Sequence, residues 1–231
     1  MKNSNFKIFT TFFLALLLSS CSNGGDNYEA PSVSFTGRIM NKSTGQPVPG
    51  QEPNGARIRM FEGGKYKAKV PVDFWVMQDG TFANKTLFSG TYKVIAEGPF
   101  QKTDTLSLNL GGSSTYDFNV VPFLDLTIEI VEKKTSSIVV KYKINQSEEK
   151  RKILRRAVLV SNRPYVDATN YINTSPFINT TNVLDIELVG KEFTTEITGL
   201  TKGVQYYLRS ASRCDNPSSY YNYSEIIPFT L

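Results

Sequence analysis

The sequence predicts an all-β protein that consists of two β-sandwiches in tandem. Apolar and polar residues alternate in short runs, which is the pattern of half-buried strands. Gly, Pro and Asn separate these runs at positions that suit tight turns. No stretch keeps the period of about 3.6 residues that an amphipathic helix requires. A chain of 231 residues accommodates one large domain or two ordinary ones.

Residues 1–20 have the layout of a secretory signal peptide. Lys2 and Lys7 lie at its start, an apolar run follows at 8–18, and Ser19 and Ser20 come next. The run is too short to cross a bilayer core of about 30 Å, which takes about 20 helical residues. Its length and flanking residues argue against a membrane helix or a buried core helix. An ordinary secretory signal is the closer alternative.

Residues 18–21 (LSSC) resemble the bacterial lipoprotein signal, which is cleaved immediately before its cysteine. The resemblance implies that Cys21 becomes the first residue of the mature chain and carries lipid, such as palmitate, on its sulfur and amine. Two or three acyl chains hold a protein firmly at a membrane without a transmembrane helix. Residues 21–30 are then expected to form a polar tether.

Composition excludes several classes of function. The chain has no histidine, which removes Ser-His and Cys-His catalysis and histidine-ligated metal sites. The net charge of +5 does not require a nucleic-acid partner. With Cys21 lipidated, Cys214 has no disulfide partner and is expected to be a small buried hydrophobe, with a free reactive thiol as the alternative. The sequence predicts no cofactor and no metal.

Residues 31–122 are expected to form the first sandwich. Alternation predicts seven strands, at 33–39, 56–61, 72–77, 81–82, 91–96, 105–110 and 115–120. Five segments resemble the carboxypeptidase regulatory-like domain: 35–39 (FTGRI), 44–48 (TGQPV), 79–82 (DGTF), 89–94 (SGTYKV) and 116–120 (YDFNV). The resemblance implies a transthyretin-like sandwich without peptidase chemistry, in which Tyr92 packs inward. Residues 51–55 (QEPNG) are extra relative to that family.

Residues 123–231 are expected to form the second sandwich, of the immunoglobulin or fibronectin type III kind. Its predicted strands are 124–131, 137–144, 156–161, 183–189, 192–197, 206–212 and 223–229. Residues 200–211 (LTKGVQYYLRSA) resemble the fibronectin type III signature. That resemblance implies a tyrosine corner at Tyr206, with its ring under the turn and its hydroxyl bonded back to the chain. Leu208 and Ser210 would share its inward face.

The chain as a whole resembles a Bacteroidota family of two-domain lipoproteins of unknown function. The resemblance is carried by residues 27–31 (NYEAP), 45–48 (GQPV), 51–58 (QEPNGARI), 73–75 (DFW) and 80–82 (GTF). Such lipoproteins often accompany the glycan-capture machinery of the outer membrane. The resemblance therefore implies a lipid-anchored protein of the outer membrane, exposed at the cell surface.

Two places offer aromatic side chains to a ligand. Trp75 is the single tryptophan and would stack on a sugar ring if exposed, whereas a buried core tryptophan is the alternative. Residues 213–223 (RCDNPSSYYNY) would form an end loop of the second sandwich, where such folds bind ligands. Its candidate ligand contacts are Asp215, Asn216, Tyr220, Tyr221 and Tyr223. A loop that packs its own tyrosines is the alternative.

Charged and hydroxyl side chains give three further patterns. The basic residues at 150–152 and 155–156 could meet phosphates or an acidic glycan, or could be a solvated hairpin. Residues 104–106 (DTL) resemble the O-glycosylation site of exported Bacteroidota proteins, with Thr105 as the acceptor. Four acids lie at strand ends or turns, namely Asp73, Asp79, Asp117 and Asp125. No spacing singles out a pair of them for glycosidase chemistry, so no catalytic residue is predicted.

The functional expectation is a non-catalytic accessory protein that binds a glycan in a polysaccharide capture or uptake system. The lipid anchor, the aromatic end loop and the lack of a catalytic constellation motivate it. The alternatives are a structural module that contacts a neighbouring outer-membrane protein and, more remotely, a histidine-free glycosidase with two carboxylates.

Overall fold

Sixteen strands in four sheets make up the part of the chain that this computed structural model describes, residues 30–63, 70–172 and 176–231. Ser32–Leu231 form one compact unit. The expected signal peptide, Cys21 and nearly all of the expected tether lie outside the described residues. Among the described residues, no helix is long and apolar enough to cross a membrane.

The first eight strands form two facing sheets. They are β1 (Val33–Asn41), β2 (Arg57–Glu62), β3 (Val72–Trp75), β4 (Thr81–Leu87), β5 (Gly90–Glu97), β6 (Leu106–Leu110), β7 (Ser114–Thr115) and β8 (Phe118–Val120). One sheet has the order β4-β1-β7, with β8 also paired to β1, and the other has the order β3-β2-β5-β6. Strands β7 and β8 run parallel to β1, whereas the other pairs are antiparallel.

The core of this first pair of sheets follows the predicted alternation. Ile58 and Met60 on β2 are fully buried, and Tyr92 on β5 packs inward with its hydroxyl donating to the carbonyl of Phe88 at 2.8 Å. At Gly37 a Cβ atom would lie 1.8 Å from the carbonyl oxygen of Tyr116. The close approach of β1 to residue 116 therefore requires glycine at position 37.

The remaining eight strands form a second pair of sheets. They are β9 (Leu124–Lys133), β10 (Ile138–Gln146), β11 (Ile153–Ser161), β12 (Phe177–Asn179), β13 (Glu192–Ile197), β14 (Gln205–Cys214), β15 (Asn222–Tyr223) and β16 (Ile227–Thr230). One sheet has the order β13-β10-β9. The other has the order β12-β11-β14-β15, with β16 also paired to β14. The predicted all-β architecture of two sandwiches is confirmed.

The tyrosine corner is formed as the fibronectin-like signature implied. The hydroxyl of Tyr206 accepts a 2.9 Å hydrogen bond from the backbone N–H of Thr201, and its ring stacks on Phe229 at 5.6 Å between centroids. Leu208 and Ser210 are both fully buried. Cys214 is also buried and unpaired, as expected of a small core hydrophobe.

The prediction of a strand at 183–189 is wrong. A short 3₁₀ helix, Asp185–Glu187, occupies the segment, and the carbonyl of Asp185 accepts hydrogen bonds from the N–H groups of Leu188 and Val189. The side chain of Asp185 meanwhile accepts from the N–H of Ile153. These local bonds replace a strand ladder and leave Leu184 and Ile186 exposed. The alternation in sequence therefore reflects a turn with two outward apolar residues.

A short bridge of backbone hydrogen bonds joins the two sandwiches. The N–H of Phe123 donates to the carbonyl of Pro99 at 3.0 Å, and the N–H of Gln101 donates to the carbonyl of Val121 at 2.9 Å. Phe100 is buried in the first core and Phe123 in a cluster of the second. The chain thus leaves one core and enters the next without an exposed linker.

Candidate functional site

A cleft of about 610 Å³ lies where loops of the two sandwiches meet. Its walls are polar and aromatic and come from both halves of the unit. They comprise Gln51, Asn54, Arg155, Ala168, Thr169, Tyr171, Phe177, Asn179, Ser218, Ser219, Tyr220 and Tyr221. Ligand pockets commonly enclose about 300–1,000 Å³ and often lie between domains.

The first sandwich contributes residues 50–55, which include the segment at 51–55 that is extra relative to the carboxypeptidase regulatory-like family. Gln51 is buried, its Oε1 accepts a 2.7 Å hydrogen bond from the hydroxyl of Tyr223, and its Nε2 donates to Thr169 Oγ1 at 3.3 Å. A Cβ atom on Gly55 would lie 2.4 Å from the carbonyl of Gln51, so the turn closes tightly. The insertion is therefore the part of the first sandwich that docks on the second.

A buried guanidinium fixes that docking. Arg209 on β14 is fully buried and donates to the carbonyls of Gly50, Val166 and Ser224 at 2.8, 3.1 and 2.9 Å. Its guanidinium also lies 4.2 Å from the ring centroid of Tyr223. Burial lowers the pKa of Arg209 to about 10, although the nearby Tyr223, Asp167 and Glu225 act in the opposite direction. Three backbone segments thus depend on this one side chain.

Asp167 shapes the adjoining wall of the cleft. Its Oδ1 accepts from the N–H groups of Thr169 and Asn170 at 2.8 and 3.0 Å, and its Oδ2 accepts from Gln78 Nε2 at 3.4 Å. An aspartate that bonds to the backbone two and three residues ahead makes a tight turn. That turn places Thr169 and Tyr171 at the cleft, and the contact with Gln78 ties it to the first sandwich.

The structure brings two of the predicted aromatic residues together. Trp75 at the end of β3 and Tyr220 of the end loop meet edge to face, with ring centroids 6.5 Å apart, and both are half-buried. Tyr220 and Tyr221 line the cleft, whereas Trp75 does not. Tyr221 lies 6.2 Å from Phe177 between centroids. Trp75 therefore supports a cleft residue rather than forming a wall itself.

The other loop residues have different positions. Asn216 is buried, and its amide donates to the carbonyls of Cys214 and Tyr220 at 3.1 and 3.0 Å, so it shapes the loop. Tyr223 is buried, and burial raises the pKa of its hydroxyl. Asp215 is exposed outside the cleft, where its carbonyl accepts from Arg151 at 2.9 Å. Of the five loop residues proposed as ligand contacts, the cleft includes Tyr220 and Tyr221.

The predicted basic cluster is divided by the fold. Arg151 lies over the Phe123 ring and pairs with Glu149 at 2.5 Å, and Lys152 pairs with Asp185. The guanidinium of Arg156 lies 4.0 Å from the centroid of Phe193, and burial lowers its pKa. Arg155 precedes Arg156 on β11, so its side chain lies on the opposite face of the strand from that of Arg156, and there it lines the cleft.

Three of the four acids considered for catalysis have separate partners. Asp117 pairs with Arg38 at 2.6 Å, Asp79 caps its own turn at Thr81, and Asp73 lies with Glu97 between Arg57 and Arg59. Partial burial raises the pKa of Asp125 on β9. None of the four is among the described cleft residues. Elsewhere in the described part of the chain, too, no three or more Cys, Asp or Glu side chains form a group that could hold a metal ion.

Several cleft residues were absent from the sequence-based prediction. Tyr171 and Phe177 meet edge to face at 5.2 Å between centroids, and Asn179 ends the three-residue strand β12. The one signal in the sequence was the extra segment at 51–55. Thr105, the predicted glycosylation site, is exposed just before β6, which leaves that prediction open.

Fold and site together define a protein of two β-sandwiches with a polar, aromatic-walled cleft at their junction. Residues 33–121 match the family model described as Protein of unknown function (DUF3823) N-terminal domain. The matched residues span the first sandwich, which confirms the resemblance to a Bacteroidota family of unknown function.

Solved structures with the same two-sandwich fold cover 87% of this chain and 100% of their own. A DUF3823 family protein from Bacteroides uniformis is 23% identical with a TM-score of 0.77, and one from Parabacteroides merdae is 21% identical with a TM-score of 0.72. A third, from Bacteroides uniformis, is 19% identical with a TM-score of 0.71 and is described as a candidate carbohydrate-binding protein. A comparison with curated proteins finds no match. At these identities the likeness establishes the fold.

Proposed function

We propose that this protein binds a carbohydrate, without cleaving it, in the cleft between its sandwiches. The observation that carries the proposal is the composition of the cleft wall, which combines four aromatic rings with amide and hydroxyl side chains. The rings are those of Tyr171, Phe177, Tyr220 and Tyr221. A sugar presents apolar C–H faces and polar hydroxyl edges, and such a wall offers a partner to each.

The polar wall residues suit recognition of hydroxyl groups. Asn54 and Asn179 carry amides that both donate and accept, and Thr169, Ser218 and Ser219 add hydroxyls. Tyrosine rings lose few rotamers on contact and combine an apolar face with a polar tip. The junction position also supports the proposal, because the contacts of Gln51 and Arg209 hold the wall in place before a ligand arrives.

Binding without hydrolysis is supported by the charges of the wall. Glycosidases generally use two carboxylates that flank the scissile bond. The twelve described residues of the cleft wall include no aspartate or glutamate. The relative from Bacteroides uniformis that is described as a candidate carbohydrate-binding protein shares the fold and is consistent with the proposal.

Affinity electrophoresis against a panel of neutral and acidic polysaccharides tests the proposed function. We expect at least one polysaccharide to retard the protein, and the double variant Phe177→Ala/Tyr220→Ala to lose that retardation. Phe88→Ala removes an exposed ring outside the cleft and is the matched control. Failure of every polysaccharide to retard the folded protein would refute carbohydrate binding. Release of reducing ends would refute the non-catalytic part.

Anchoring through Cys21 completes the proposal, with the mature chain held at the outer membrane and facing the cell surface as part of a capture system. The support is the lipoprotein-like segment at 18–21. Cys21→Ser should move the protein from the membrane fraction to the soluble fraction and abolish labelling by palmitate. Protease treatment of whole cells should degrade the parent protein if it faces outward. Unchanged membrane fractionation of the variant would contradict the anchor.

A protein-interaction module is the second candidate, and one observation favours it. Leu184 and Ile186, two residues apart on the turn before β13, are 64% and 77% exposed. Large apolar side chains exposed close together in the chain can mark a contact site. If this candidate holds, Leu184→Ser/Ile186→Ser should abolish cross-linking to a neighbouring membrane protein and leave retardation by polysaccharides unchanged.

A further inference from the structure

Two arginines lie directly opposite each other on neighbouring strands beside the cleft. Arg155 on β11 pairs in register with Arg213 on β14, and Asn179 on β12 pairs with Arg155 from the other side. Residues paired in this way share one face of the sheet, with Cβ atoms about 4.5–5.5 Å apart. Like charges in such a pair are destabilising unless something compensates them.

No acid compensates this pair within the described part of the chain. Arg155 and Arg213 form none of the ion pairs found there, and each guanidinium instead lies over an aromatic ring. Arg155 lies 5.9 Å from the centroid of Phe177, and Arg213 lies 5.6 Å from that of Tyr221. The Nε of Arg213 is buried without a hydrogen-bond partner among the described residues.

Another arginine pair in the same protein is balanced. Arg57 and Arg59 on β2 contact Asp73 and Glu97 through four ion pairs of 2.7 to 3.4 Å. The arginines on β2 thus belong to a structural network with their own acids, whereas Arg155 and Arg213 have no acidic partner among the described residues. At Arg155 the planar guanidinium keeps its N–H donors available, and the ring beneath it holds its orientation.

The wall around Arg155 favours negative charge in a ligand. Arg155 is the one formally charged residue among the described cleft residues, and Arg213 adds a second positive charge one strand away. A guanidinium binds a carboxylate or a sulfate through two parallel N–H···O bonds. Asn179 and Thr169 also line the cleft, and their amide and hydroxyl groups can bond hydroxyls of the same ligand.

We propose that the cleft selects saccharides that carry a carboxylate or a sulfate, with Arg155 contacting the anionic group and Arg213 strengthening the positive field. This inference rests on the proposed carbohydrate-binding function. It assigns the anionic group to the side of the cleft formed by β11 and β12, next to β14. The aromatic rings of Phe177 and Tyr221 would lie against the sugar ring that bears it.

The test compares polysaccharides that differ in charge but share a backbone. Affinity electrophoresis uses dextran, carboxymethyl-dextran and dextran sulfate as one series, and polygalacturonate with its methyl ester as another. Wild-type protein should be retarded by charged members and at least tenfold less by their neutral counterparts, since a charge-assisted hydrogen bond typically contributes a factor of this order. The carboxymethyl and sulfate arms distinguish the two anionic groups.

Variants distinguish binding in the cleft from non-specific attraction to the positive charge of the protein surface. Arg155→Gln should weaken retardation by about tenfold or more, Arg155→Lys should restore part of it, and Arg213→Gln should have a smaller effect. The control Lys85→Gln/Lys93→Gln removes two exposed charges outside the cleft and should leave retardation unchanged. Circular dichroism and thermal melting of each variant verify that it is folded.

Each outcome bears on one of the two proposals. Equal retardation by charged and neutral members of a series would overturn the anionic selectivity and leave carbohydrate binding intact. An equal loss in Arg155→Gln and in the lysine control would also overturn it, because the attraction would then be non-specific. Retardation by no polysaccharide at all would refute the proposed function itself.

Discussion

The hydroxyl of Tyr223 donates a 2.7 Å hydrogen bond to Oε1 of Gln51, which joins the last part of the second sandwich to the inserted loop of the first. Both residues are buried. The same hydroxyl accepts from the N–H of Ala168 at 3.2 Å. One phenolic oxygen therefore links the end loop, the inserted loop and the Asp167 turn, which together form much of the cleft wall.

Replacing Tyr223 by Phe should destabilise the protein. The change leaves the buried Oε1 of Gln51 and the half-buried N–H of Ala168 without the hydroxyl as a partner, which costs about 1–3 kcal/mol of unfolding free energy. Urea denaturation at neutral pH measures the difference. Tyr221→Phe, at a partly exposed ring, is the control and should stay within about 0.5 kcal/mol of the parent. Equal stability of the two variants would contradict the structural role of the hydroxyl.

Arg209→Leu should lower the free energy of unfolding more than Tyr223→Phe does, because three carbonyls lose their donor at once. We expect a loss of more than about 2 kcal/mol, with faster amide hydrogen exchange in residues 50–55. Arg209→Lys should recover part of the stability, since an ammonium can still donate to some of the carbonyls. Unaltered exchange in the inserted loop would show that Arg209 does not hold it.

Trp75 should report on the cleft by fluorescence, because it is the single tryptophan of the chain and contacts Tyr220. Tyr220→Ala exposes one side of the indole and should shift its emission to longer wavelength. A bound polysaccharide should change the emission of the parent protein and not of this variant. Tyr116→Ala, at an exposed ring outside the cleft, should leave the spectrum unchanged. An identical spectrum for Tyr220→Ala would contradict the contact.

The thiol of Cys214 should make stability depend on alkaline pH. Burial raises its pKa above the ordinary value of 9.0, although the hydrogen bond from Asn216 and the charge of Arg151 oppose this, and Asp215 adds to it. The unfolded chain therefore loses the thiol proton first as the pH rises. This contribution is complete below about pH 9 and declines as the pH rises towards the folded pKa.

Urea denaturation between neutral pH and pH 10 measures this contribution in a Cys21→Ser background. The parent should lose more stability over that range than Cys214→Ala, since the other titrating groups are common to both proteins. Native Cys214 should also resist Ellman's reagent until the protein unfolds. A difference between the two proteins that is constant with pH would contradict the raised pKa.

Much of the fold could be predicted from the sequence because alternation reflects burial directly. The strand at Glu192–Ile197 has the predicted bounds, and the inward position of Tyr92 and the corner at Tyr206 follow from local signatures. The segment at 183–189 misled the prediction because outward apolar residues in a turn imitate a strand. The last predicted strand is interrupted, with β15 and β16 separated by residues 224–226.

The cleft was less predictable because its walls depend on pairing between distant segments. The alternating pattern of the end loop does not distinguish Tyr221 from Tyr223. In the structure Tyr223 lies opposite the small Ala211 and fills the space beside it, whereas Tyr221 faces the cleft. The partners of Gln51, at positions 169 and 223, have no local signal near position 51. The sequence identified the loop at 213–223 as rich in aromatic residues, but the fold determines that Tyr220 and Tyr221 line the cleft and that Tyr223 is buried.

The loop at 50–55, which includes the extra segment at 51–55, also bears on how such proteins can diversify. The loop belongs to one sandwich and completes a surface on the other. Gene fusion that exchanged either half alone would therefore separate the loop from the surface it docks on. New specificities would then arise by coordinated change of both halves, or by substitutions confined to β12 and the end loop, which lie on a single side of that seam.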